Sequence, residues 1–212
     1  MSLSAMPLSA LPMWLASDPL IVASRSAARR ALLEAAGVEL AVAPADIDER
    51  GLEDQARSQA PDAVALLLAR EKAAVVGRLN PGRLVLGADQ VLALGERRFA
   101  KPVDRAAAKA QLLALRGRSH ELHSAIVFVA DGVVVFEHVG VARLTMRTFS
   151  EPFLELYLDT VGAAATASVG AYQLEGLGIE LFERIEGDYF TILGLPLLPA
   201  LEFLRRRGCL AS

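Results

Sequence analysis

The stretch "ELHSAIVFVADGVVVFEHVGVARLTMRTF", Glu121 to Phe149, holds two long β-rich runs joined at Asp131-Gly132. An Asp-Gly pair between apolar runs is a strong hairpin signal, because both residues tolerate the positive φ of a tight turn. Such a hairpin excludes a wholly parallel sheet. Upstream, however, the pattern is β-α-β. "LIVA" (Leu20–Ala23) is short and apolar, as a buried strand would be, and Ser26–Ala36 has helical spacing that stops at Gly37. "VELAVAP" (Val38–Pro44) then alternates like a second strand. Parallel units beside a hairpin predict one α/β unit with a mixed sheet.

The remaining segments fit that frame. "ADIDERGLEDQ" reads as an acidic, turn-rich loop. A helix starts at Pro61 and carries Val64, Leu67, Leu68, Val75 and Val76 on roughly one side. "RLVLGADQVLAL" reads as strand, break, strand. "DRAAAKAQLLALRG" is a helix with Asp104 as its N-cap and Gly117 as its stop. Further helices are expected over Glu151–Thr160 and at the end, closing in "LRRRG".

Composition narrows the function classes. The 212 residues are 53% apolar, so the chain folds. Its 22 basic and 25 acidic residues give a net charge of −3. That balance argues against a general grip on nucleic acid but leaves room for a local anion pocket. The single cysteine, Cys209, fits a reducing cytoplasm. The first 19 residues are apolar, yet no Lys or Arg precedes Arg25, so the basic start of an export signal is missing. No apolar run approaches the ~20 residues of a membrane span. Residues 1–18 are expected to be a flexible extension with Trp14 on the surface, and 19–208 a single domain.

Candidate chemistry clusters in a few places. Asp89 follows four apolar strand residues, and ligand sites in α/β sheets favour the carboxyl ends of strands. A carboxylate there can bind a metal or activate water, and it equally suits a turn cap. Lys101 precedes Pro102, which fixes the backbone, while Lys72 lies in a helix beside Arg70 and Glu71. Both also read as solvated surface lysines. "ASRSAARR" sets Arg29 and Arg30 in a first helical turn, where the macrodipole disfavours cations. Serine hydroxyls, free N–H groups and guanidinium forks together suit a polyphosphate, and serines near a helix start equally read as ordinary caps. The histidines 120, 123 and 138 read as structural, since two strand residues three apart face opposite ways. No P-loop, GxGxxG or CxxC signature occurs.

From Leu20 to Arg206 the chain resembles the Maf nucleotide pyrophosphatases. The resemblance rests on "ASRSAARRALLEAAG", "PADIDER", "LAREKA", "VLGADQVL", "KPVD", "LRGRSHELHSA", "VGAYQLEGLG" and "IEGDYFTILGLPL", in that order. It implies a Maf/ITPase-like α/β fold: a mixed, largely antiparallel central sheet flanked by helices, with two lobes around a cleft. It also implies hydrolysis of nucleoside triphosphates to a monophosphate and pyrophosphate, a Mg²⁺ or Mn²⁺ cofactor, a cytoplasmic homodimer, and neither nucleic acid nor membrane as partner. By this resemblance Asp89 is the proton acceptor, Lys72 and Lys101 are catalytic lysines, and Ser24, Arg29 and Arg30 hold substrate. Glu49 joins Asp89 near the metal, and Ala28, Gln90 and Glu175 sort substrates. Gln90 and Glu175 look like the branch acting on 7-methyl-GTP, whereas that branch carries tryptophan where this chain has Ala28. A generic triphosphate pyrophosphatase is therefore expected. The alternative is a non-catalytic, nucleotide-binding regulator of septum formation, which would have no need of Asp89.

Overall fold

The computed structural model describes residues 13–212. The start of the expected extension, residues 1–12, lies outside the described residues. Among the described residues the strands are β1 (Leu20–Val22), β2 (Leu40–Val42), β3 (Leu84–Leu94), β4 (Arg97–Phe99), β5 (Ser119–Ala130), β6 (Val133–Met146) and β7 (Phe182–Glu186). They form one sheet in the order β2-β1-β3-β5-β6-β7, with β4 paired to β3 outside that path. Only β1 runs parallel to its neighbours β2 and β3; the other pairings are antiparallel. The mixed, largely antiparallel sheet is as expected.

Local signals account for much of this. Asp131 and Gly132 sit at φ 50° and 76°, the left-handed turn that folds β5 onto β6. Helix α1 (Ala27–Ala35) is capped by Ser26, whose hydroxyl accepts from the Arg29 N–H. Helix α3 (Pro61–Leu79) starts on its proline, and α4 (Arg105–Leu115) on Asp104, which accepts from the Ala107 N–H at 2.7 Å. Helices α5 (Glu151–Val161), α6 (Tyr189–Ile192) and α7 (Leu197–Arg206) complete the set together with α2 (Glu49–Gln55).

Three expectations are corrected. The acidic segment read as a loop contains α2, because Asp48 caps it by accepting from the Gly51 N–H at 3.0 Å. The segment read as two strands is the single strand β3, held straight by β5, which pairs with it from Leu84 to Ala93. Trp14 is buried, not on the surface. Its neighbourhood bridges to Leu210, Leu15 N–H donates to Cys209 O, and the indole N–H donates to Asp18 O at 3.2 Å.

The long strands join two packed regions. Toward one end Leu86, Ala88, Ile126 and Phe128 pack beneath α1 and α7, and Val127 and Val129 beneath α3. Toward the other, Leu92, Leu122, Leu144 and Met146 pack against α4 and α5. Asp89 lies between these regions, midway along β3.

Candidate active site

A gap in hydrogen bonding along one edge of β3 creates the site. On that edge β1 pairs with Val85 and Leu86, and β4 pairs with Leu92, Ala93 and Leu94. Residues 87–91 between them have no strand partner on that side among the described residues. Because β1 is parallel to β3 and β4 antiparallel, both run toward the gap and end there. Ser24 therefore enters from one side and Lys101 from the other, with Asp89 between them. The break expected within β3 lies instead in its neighbours. Ligand sites at carboxyl ends of strands follow the same logic.

Asp89 faces α3. Its Oδ1 accepts from Lys72 Nζ at 2.5 Å, and both side chains are nearly buried, at 11% and 10% exposure. Gly87 sets this separation. A Cβ there would lie 2.1 Å from Ala69 O and 2.7 Å from Ala73 N, so only glycine lets α3 approach closely enough. Lys72 also meets Glu49 Oε1 of α2 at 3.1 Å. One buried ammonium thus joins the two acids expected at the metal. Asp89 Oδ2 accepts no hydrogen bond among the described residues.

Arg29 closes the gap from the other side. Its Nη1 donates to Ala88 O at 2.9 Å and to Ser24 Oγ at 3.1 Å, while Nε donates to Gly194 O at 2.7 Å. Ala88 O is the carbonyl left over where β1 stops. Burial pushes the Arg29 guanidinium below its usual range, and the charges of Asp89 and then Glu49 oppose that fall. Nη2 has no acceptor among the described residues, and neither do the Ala27 and Ala28 amides at the start of α1. These donors suit an arriving anion.

The expected arginine pair does not form a common fork. Arg29 is largely taken up inside the fold. Arg30 is exposed and lies 3.9 Å from Glu34. Lys101 is exposed, without a partner among the described residues, in the loop that leaves β4. Gln90 points to the face opposite Asp89. Its amide N–H groups go to Ser124 Oγ at 2.9 Å, Ile192 O at 3.0 Å and Thr191 O at 3.2 Å, which leaves only Oε1 to face a ligand. Ala28 is half-buried on α1, and Glu175 is exposed and makes no hydrogen bond or ion pair among the described residues.

The sequence reading missed two residues here. Glu53 lies one turn after Glu49 on α2. Its carboxyl is raised above the usual range first by burial, then by the charges of Asp89 and Glu49. Arg98 of β4 grips the end of α2. The signal for Glu53 was Asp48 as an N-cap, which turns the acidic segment into a helix with acids one turn apart, whereas nothing local signals Arg98. Of the histidines, His120 is buried against Tyr172 OH at 2.8 Å, and His123 meets Glu121 at 3.2 Å. No helix among the described residues is long and apolar enough to cross a membrane.

Comparison with known proteins places this geometry in context. Residues 19–207 match the family model described as "Maf-like protein". A nucleoside triphosphate pyrophosphatase of Rhodopseudomonas palustris is 56% identical over 201 residues, 95% of this chain and 100% of its own length. One from Bradyrhizobium diazoefficiens is 58% identical over 199 residues, 94% and 98% of the two chains. A 7-methyl-GTP pyrophosphatase of Mesorhizobium japonicum is 53% identical over 196 residues, 92% and 98%.

Proposed function

The chain belongs to the Maf-like family, and we propose that it hydrolyses nucleoside triphosphates between the α and β phosphates, releasing a nucleoside monophosphate and pyrophosphate. The observation that carries this reading is the opening beside β3, where Asp89, Lys72, Arg29 and Ser24 converge. A water oxygen attacks the α-phosphorus, and Asp89, through the oxygen that Lys72 leaves free, takes its proton. The bond from that phosphorus to the bridging oxygen breaks, and its electron pair leaves with pyrophosphate. Lys72 orients the Asp89 carboxylate by its hydrogen bond. Arg29 Nη2, the free amides of α1, Arg30 and Lys101 supply donors and positive charge for the phosphate chain and its leaving end.

Asp89 and Glu49 are hard oxygen donors brought near one another by Lys72, and their free oxygens would hold Mg²⁺ or Mn²⁺. Among the described residues no group of three potential ligand side chains forms a cage. When bound, such a cation neutralises phosphate charge and acidifies water.

For the base, Gln90 offers only a carbonyl oxygen and Glu175 a carboxylate. Two acceptors, if both reach the base, favour an edge rich in N–H donors, as guanine has. Ala28 supplies no ring to stack on a methylated purine. The reading also includes a homodimer, supported by the exposed valines Val133, Val134 and Val135 on β6, and a cytoplasmic setting, supported by the lone cysteine. Turnover in ¹⁸O-labelled water tests the point of attack. Label in the monophosphate is expected; label in pyrophosphate, or release of orthophosphate and a diphosphate, contradicts it.

A further inference from the structure

Helix α2 carries Glu49 into the site, yet no residue of α2 is fully buried. A seven-residue helix whose core contact is the half-buried Leu52 has little intrinsic stability and needs anchors. At its start the Glu49 carboxylate meets Lys72. At its end the anchor is Arg98. Nη1 donates to Ala56 O at 3.1 Å and Gln59 O at 3.4 Å, and Nη2 to Arg57 O at 3.3 Å and Glu53 O at 3.5 Å.

These carbonyls belong to the closing turn of α2 and the turn after it, where a helix leaves acceptors unsatisfied and its dipole is negative. A guanidinium there supplies both donors and the favourable charge. Arg98 is itself fixed, because β4 pairs with β3 at Ala93 on the strand that holds Asp89. The same β4 leads, two residues past Phe99, to Lys101. One side chain therefore ties α2 to the strand pair on which the rest of the site is built.

The geometry points to Arg98 as a positioning residue that clamps the end of α2 and so sets Glu49 against Lys72 and Asp89. The functional half of this inference rests on the proposed pyrophosphatase reading; the mechanical half does not. Without the clamp, α2 keeps its cap, the half-buried Leu52 and the Ala56 side chain packed toward α3, and one half-exposed ion pair. Local opening then becomes easier than global unfolding.

Hydrogen exchange of the full-length chain tests the clamp without reference to activity. In Arg98→Met, amides of residues 49–59 are expected to exchange about tenfold faster or more, while those of β3 and β5 keep their protection. Arg98→Lys, which retains charge but not the fork, is expected to fall between. In turnover assays Arg98→Met is expected to raise the Mg²⁺ concentration for half-maximal rate in step with Glu49→Gln, and the double variant to be no worse than Glu49→Gln alone. Unchanged exchange at residues 49–59, or effects that multiply in the double variant, would overturn the inference. Full turnover by Glu49→Gln would count against the role of Glu49 and leave the clamp to be decided by exchange.

Discussion

The Lys72 ammonium lies 2.5 Å from Asp89 Oδ1 and 3.1 Å from Glu49 Oε1, and it is nearly buried. Removing one partner of a buried pair leaves the other charge uncompensated, which costs about 3–5 kcal/mol. Lys72→Met is therefore expected to lose that much stability in urea unfolding. Lys72→Met combined with Asp89→Leu is expected to regain most of it while staying inactive. Recovery of activity in the double variant would separate this pair from the chemistry.

Gly87 sets the distance between α3 and β3, since any Cβ would meet Ala69 O. Gly87→Ala is expected to cost about 1–3 kcal/mol through backbone displacement. It is also expected to lower kcat, because Lys72 moves with α3. Thermal melts and steady-state rates on the same preparation check both effects.

The two arginines of α1 should behave differently. Arg29→Met strips donors from Ala88 O and Gly194 O, and each buried group left unsatisfied costs about 1–3 kcal/mol, while Ser24 Oγ keeps the Ser26 N–H. Arg30→Ala removes an exposed side chain, and its stability is expected to stay within about 0.5 kcal/mol of wild type. If Arg30 meets the phosphate chain, KM rises in that variant while the melting curve stays put. Equal destabilisation by the two substitutions would contradict the assignment.

Burial lowers the His120 imidazole to about 4. Its folded value lies below the unfolded value near 6.5, so its contribution is fully present above that value and is lost as pH falls from about 6.5 toward 4, on the order of 3 kcal/mol in all. Unfolding measured from pH 7 to pH 4 should show a steeper decline in wild type than in His120→Gln. Parallel curves would show that the imidazole does not carry the effect.

What the sequence revealed and what it hid divide along sequence distance. Asp104, Pro61 and Asp131-Gly132 act on the backbone within a few residues, and each produced the element expected of it. Trp14 was misplaced because its partner is Leu210, at the other end of the chain. α2 was missed as a helix because much of its support comes from Arg98, about forty residues on. The internal role of Arg29 depends on Gly194, 165 residues away. The motif residues Ser24, Arg29, Lys72, Glu49 and Asp89 could be named from the resemblance. That Lys72 joins the two acids, and that Gln90 has no free donor, required the packing of α3 and α6 against the sheet.

The central claim, a hydrolase whose water gives its proton to Asp89, is tested most directly by pyrophosphate release with Mg²⁺ present, comparing wild type with Asp89→Asn. Wild type should release one pyrophosphate for each monophosphate. Asp89→Asn, checked as folded by its melting curve, should bind the triphosphate and release pyrophosphate at least about a hundredfold more slowly. A wild type that binds triphosphates without turnover, or an Asp89→Asn variant with wild-type release, would contradict the account.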